Sequence, residues 1–143
     1  MTRIATLTLI LFALGAHPIA KAAAPSELEV ADTYYSAFLG EGTVSDIPMR
    51  SDLTFASPRF TLTSAAAFRD ALSELFGGVR SLEIESQLHQ EGTVLTFYLL
   101  DLGAPDGAIP MAERLHIENG EIAAVDLIFD SARLPGPAST ECD

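Results

Sequence analysis

The stretch that most restricts the fold is Met111 to Asp130, MAERLHIENGEIAAVDLIFD, which reads as two long strands joined at Asn119-Gly120. Asn-Gly between apolar runs is the strongest short-range hairpin signal, because both residues tolerate the positive φ that a tight turn demands. In the leading strand Ile109, Met111, Leu115 and Ile117 share one side, and Ala112, Arg114 and His116 share the other, as period-two alternation requires. Glu113 falls in the apolar set. In the returning strand Ala123, Val125, Leu127 and Phe129 alternate with Ile122, Ala124, Asp126 and Ile128. A carboxylate aimed at a core needs a hydrogen-bond partner or a raised pKa.

The chain ahead of this hairpin supplies two helices and more strands. Ser26 with Glu29 is a capping box, preceded by Pro25 and followed by Gly40, so a first helix is expected over 25–39. Leu28, Ala31, Tyr34 or Tyr35, and Phe38 form its apolar face. A turn-rich connector over 41–51 offers Ile47 and Met49 for packing. LTFASPRF, 53–60, is expected as two short strands bent at Ser57-Pro58, because proline donates nothing to a ladder and confines the residue before it. A second helix over 65–76, capped by Thr63 or Ser64, buries Phe68, Leu72 and either Leu75 or Phe76 before Gly77-Gly78.

Strands over 80–90 and 93–102 turn at Glu91-Gly92. The first carries Leu82, Ile84 and Leu88 on one face and Glu83, Glu85, Gln87 and His89 on the other. In the second, Val94, Thr96, Tyr98 and Leu100 alternate with Leu95, Phe97 and Leu99, and a strand apolar on both faces is covered on both. Helices followed by a run of antiparallel strands make an α+β fold with the helices on one sheet face. The other face, with Leu95, Phe97, Leu99, Ala112 and Ile128, is then left for a second copy of the chain, so a homodimer through it is expected.

The ends and the composition bound the function. Arg3, the apolar run Ile4 to Ala16 and Ala20-Lys21-Ala22 form a signal peptide over 1–22, with export to the periplasm or the medium. The run is shorter than the roughly 20 residues of a spanning helix. A single domain over 23–134 and a loose tail over 135–143 follow, the tail holding Cys142. With one cysteine in the chain, the fold is expected to need no disulfide. Eight basic residues less Arg3 and Lys21 leave six against 20 acids, which disfavours nucleic acid or an anionic membrane as partner. Lys21 is the only lysine, so the mature protein has no lysine nucleophile. Paired-histidine and DxDxDG spacings, glycine-rich phosphate loops, a G-x-S-x-G elbow and a Cys-His pair are missing, and neither metal nor cofactor is expected.

The order helix, bent strand pair, helix and long meander resembles the NTF2-like superfamily, and most of all its SnoaL-like group, similar in fold to ketosteroid isomerase. The resemblance runs from Leu28 to Asp130 and is carried by AFLGEG, DLTFASP, AAFRDAL and MAERLHIENGEI. It implies a cone-shaped barrel, a curved and mostly antiparallel sheet wrapped around N-terminal helices and enclosing a pocket. That cone hosts isomerases, cyclases, hydrolases and inert binders, so it leaves the chemistry open. In ketosteroid isomerase a tyrosine and a protonated aspartic acid form the oxyanion hole and a separate Asp is the base. By motif the tyrosine falls on Tyr34, the acid on Glu113 and the base on Ser57. Serine abstracts no proton unaided, so the group that starts steroid isomerisation is missing.

The resemblance implies Tyr34, Ser57, Thr96, Tyr98 and Glu113 as polar pocket groups, with Phe55, Val125, Leu127 and Phe129 as apolar walls. The leading expectation is non-covalent binding of a small, mainly hydrophobic molecule that presents a hydrogen-bond acceptor or hydroxyl. An isomerase, cyclase or hydrolase using Glu113 and Tyr34 is one alternative. A dimeric interaction module with a filled core and no ligand is the other.

Overall fold

The computed structural model describes residues 24–134. The expected signal peptide over 1–22 and the tail over 135–143 lie outside the described residues.

Helix α1, Glu27–Phe38, starts at the capping box read from the sequence. The Ser26 hydroxyl accepts from the Glu29 amide at 3.4 Å, and the Glu29 carboxylate accepts from the Ser26 amide at 2.7 Å. Val30, Ala31, Tyr34, Tyr35 and Phe38 are buried, which places both tyrosines on one broad inward arc. Leu28, expected on that face, is in the exposed first turn at its margin. Helix α2, Ala65–Phe76, is capped by Ser64, whose hydroxyl accepts from the Ala67 amide at 3.2 Å. It buries Ala65, Phe68 and Leu72.

The six strands are β1 (Met49–Ala56), β2 (Thr61–Leu62), β3 (Ser81–Gln90), β4 (Thr93–Asp101), β5 (Ile109–Glu118) and β6 (Glu121–Phe129). They form one curved, unclosed sheet in the order β2-β1-β6-β5-β4-β3, antiparallel except where β1 runs parallel to β6. β1 begins at Met49 because Ile47 and Met49 pack into the core, earlier than the expected 53. The strand pair also brackets Ser57-Pro58 differently from expectation: residues 57–60 are the turn, and β2 starts at Thr61.

Asn119 and Gly120 have φ of +53° and +81°, the hairpin turn the sequence demands. A Cβ at Gly120 would also stand 2.7 Å from Pro25 Cδ, so packing as well as conformation excludes a larger residue there. Along β5 the inward set is Ile109, Met111, Glu113, Leu115 and Ile117, as the alternation requires.

Two register shifts break the simple alternation elsewhere. In β3 the shift between Ile84 and Ser86 exchanges the faces beyond it, so Gln87 lies opposite buried Thr96 while Leu88 lies opposite Leu95 and is 61% exposed. The shift between His116 and Ile117 sets Ile122 opposite Ile117 and buries both, although Ile122 was expected on the outer face. One extra residue in one strand reverses every later side chain.

The helices cover the concave face. On the convex face Phe97, Ala112 and Ile128 lie in one row across β4, β5 and β6. Phe97 and Ile128 are 40% and 67% exposed.

Candidate functional site

The site is built on Glu113, the middle of β5, flanked in register by Thr96 and Leu127 and only 1% exposed. The arc of α1 lies over it. The Tyr34 hydroxyl donates to Glu113 Oε1 at 2.9 Å, and the Tyr35 hydroxyl donates to Oε2 at 3.0 Å. Tyr98, opposite Met111 on β4, presents a further hydroxyl that stabilises the charged carboxyl. Among the described residues no buried side-chain nitrogen or oxygen is left without a partner.

Burial dominates the electrostatics: it raises the Glu113 carboxyl to about 7, and the three tyrosines pull only part of the way back. Burial, and then the nearby carboxyl, push the phenols of Tyr34, Tyr35 and Tyr98 above their ordinary range. The phenols therefore stay protonated and serve as donors. Behind Tyr35, the Gln87 amide donates to Thr96 Oγ1 at 3.1 Å, and the Thr96 hydroxyl offsets a small part of the rise in the Tyr35 phenol.

In front of Glu113 is a cavity of about 400 Å³. Tyr34, Tyr98 and Glu113 close its inner end. Phe38, Phe55, Phe68, Leu127 and Phe129 form walls, and exposed Arg59, Phe60 and Glu74 stand at the rim. The rim is tied together: Arg59 Nη2 donates to the carbonyls of Ser131 at 2.9 Å and Leu134 at 2.8 Å, bringing Leu134 onto the cavity.

Of the expected site residues, Tyr34, Phe55, Ser57, Tyr98, Glu113, Leu127 and Phe129 all line this cavity. Thr96 and Val125 do not. Thr96 is taken up by Gln87 and Tyr35, and Val125 packs between Phe55 and Leu115 in the closed core. Ser57 lines the rim, but its hydroxyl donates to the Phe60 carbonyl at 3.0 Å and accepts from the amides of Arg59 and Phe60. It is a turn residue.

The helical period allows either Tyr34 or Tyr35 on the inward face, and both bind the carboxyl. A tyrosine doublet near the middle of a helix with a wide apolar arc was the available signal. Phe68 is core, as its helical spacing predicts, and also forms a cavity wall, a distinction that the helical period does not carry. Among the described residues no three His, Cys, Asp or Glu side chains converge as a metal site would require.

No family model and no curated protein matches the chain. Solved structures do. An NTF2-like protein of unknown function from Cytophaga hutchinsonii is 14% identical with a TM-score of 0.66, over 75% of this chain and 92% of that one. A putative ketosteroid isomerase from Kribbella flavida is 18% identical with a TM-score of 0.65, over 80% and 84%. A hypothetical protein from Catenulispora acidiphila with a ketosteroid isomerase-like fold, in complex with trimethylamine, is 17% identical with a TM-score of 0.61, over 73% and 88%. With two helices against one curved six-stranded sheet, the chain has the NTF2-like α+β fold.

Proposed function

We propose that this chain is an exported protein that binds a small, mainly hydrophobic molecule in its cone cavity, with Glu113, Tyr34 and Tyr98 as polar contacts. The observation that carries the reading is a cavity of about 400 Å³ walled by aromatic and aliphatic side chains and ending on one buried carboxyl. Few polar groups at the end of an apolar hollow of this size are what a small-molecule site needs. The small-molecule complex of the Catenulispora protein supports the reading as an instance of the same fold holding a ligand. Export rests on Arg3, the apolar run after it and Ala20-Lys21-Ala22. A homodimer through the convex face would cover Phe97 and Ile128. The cavity favours a ligand-binding reading over a filled-core interaction module.

The test is thermal stability in the presence of a library of lipids, steroids and aromatic compounds. Binding raises the melting temperature by mass action, and Glu113→Gln weakens the rise. No shift across the library would count heavily against the proposal.

A second reading is an enzyme of isomerase, cyclase or hydrolase type, favoured by one observation: a cavity-lining carboxyl held at about 7 suits proton transfer near neutral pH. In that reading Glu113 gives or takes the proton and Tyr34 orients the reacting oxygen. An unchanged turnover rate in Glu113→Gln removes it.

A further inference from the structure

We infer that the ligand of this cavity carries a protonated amine, its ammonium set at Glu113 and its apolar body against the aromatic walls. This rests on the binding reading above and names the ligand class.

The inner end of the cavity is a carboxyl whose oxygens are each already held by a phenol, from Tyr34 and from Tyr35. With Tyr98 as a third phenol bearing on it, its charged form is preorganised, and a carboxylate has acceptor capacity for one more donor, best of all a charged one. The adjoining walls are aromatic side chains. Tyr34 and Phe68 lie nearly parallel, 12° apart with centroids at 6.5 Å, and Phe68 stacks on Phe55 at 4.9 Å. Ring faces attract a cation within about 6 Å of the centroid, more strongly where water is excluded.

Among the described residues no salt bridge to the Glu113 carboxyl is formed. Arg114, next in the chain, lies on the opposite face and binds Asp126 at 2.6 Å. Arg59 is at the exposed rim with Nη2 on two carbonyls, and Glu74 shares that rim. The formal net charge of −12 draws cations toward the protein. An anionic ligand would meet a like charge at the inner end. A neutral hydrocarbon would only dehydrate the carboxyl further.

Proton linkage separates these classes. The titratable groups bearing on Glu113 are Tyr34 and Tyr35 from α1 and Tyr98 from β4, all raised above their ordinary range and protonated at neutral pH. On the facing side α2 contributes Phe68 and Leu72 to the cavity, and β6 sets Leu127 beside Glu113. An ammonium draws Glu113 to its charged form and releases a proton. A neutral ligand makes it take one up.

The experiment is calorimetry of the mature wild-type protein with benzyldimethylamine and with isobutylbenzene, its neutral isostere, at pH 6, 7 and 8 in buffers of different ionisation enthalpy. The amine is expected to bind more tightly than the hydrocarbon. Its affinity should rise about ten-fold from pH 6 to pH 8, with proton release. Glu113→Gln should flatten that dependence, and the wild-type linkage decides the matter if the variant does not fold. Equal affinity for both probes, proton uptake with the amine, or an affinity that falls with pH overturns the amine assignment and leaves the cavity-binding reading standing. Binding of neither probe overturns the assignment and, together with a silent compound library, the binding reading as well.

Discussion

The Tyr34 hydroxyl donates to Glu113 Oε1 at 2.9 Å across 79 positions of sequence, joining the first helix to the centre of the sheet inside the core. Tyr35 does the same to the other oxygen at 3.0 Å. One carboxyl is therefore clamped by two neighbouring residues of one helix, which ties α1 to the middle of β5. A hydrogen bond to a charged buried group contributes more than a neutral one, and a partner left behind costs its desolvation.

Replacing Tyr34 by Phe removes one donor from a buried acceptor. The Glu113 carboxyl is expected to rise above its present value of about 7, and the fold to lose roughly 1–3 kcal/mol where the carboxyl is charged. Urea denaturation at pH 5 and pH 8 checks this, with the larger loss at pH 8. Equal losses at both would mean that the bond does not favour the charged form.

The pH dependence of stability follows from the same group. Its pKa is raised from 4.5 to about 7 in the fold, so the folded state holds the proton more tightly than the unfolded state. The stability from this group is complete below about pH 4.5 and is lost as the pH rises through about 7, amounting to about 3 kcal/mol. Surface acids with lowered values, such as Asp52 beside Arg50, act in the opposite sense. Subtracting the Glu113→Gln curve isolates this contribution, and a difference curve that is flat from pH 4 to 8 would contradict it.

Phe68 is 2% exposed and stacks on both Phe55 and Tyr34. Phe68→Ala is expected to cost about 3 kcal/mol or more and to enlarge the cavity. Guanidinium denaturation measures the loss. A cost under about 1 kcal/mol would mean that the wall collapses freely into the space.

On the convex face, Phe97→Glu combined with Ile128→Glu places charges where large apolar side chains are 40% and 67% exposed. The pair is expected to abolish the proposed dimer in sedimentation while the circular dichroism of the fold is retained. A wild-type protein that already sediments as a monomer at high concentration would defeat the dimer.

Much of the fold was legible along the chain. The capping box at Ser26 and Glu29, the helix over 65–76, the Asn119-Gly120 turn and the inward direction of Glu113 are all set by interactions within a few residues. Alternation, capping and turn conformation act locally, so the sequence alone determined them. Only the tertiary structure decided that Gln87 and Ile122 face inward, because a register shift depends on the partner strand. It also decided that Tyr34 and Tyr35 share one carboxyl, that Thr96 and Val125 stand apart from the cavity, and that Phe68 is a wall as well as core. A hollow is the volume that packed elements fail to fill, and that volume is fixed by the spacing between helices and sheet, a distance no single stretch of the chain encodes.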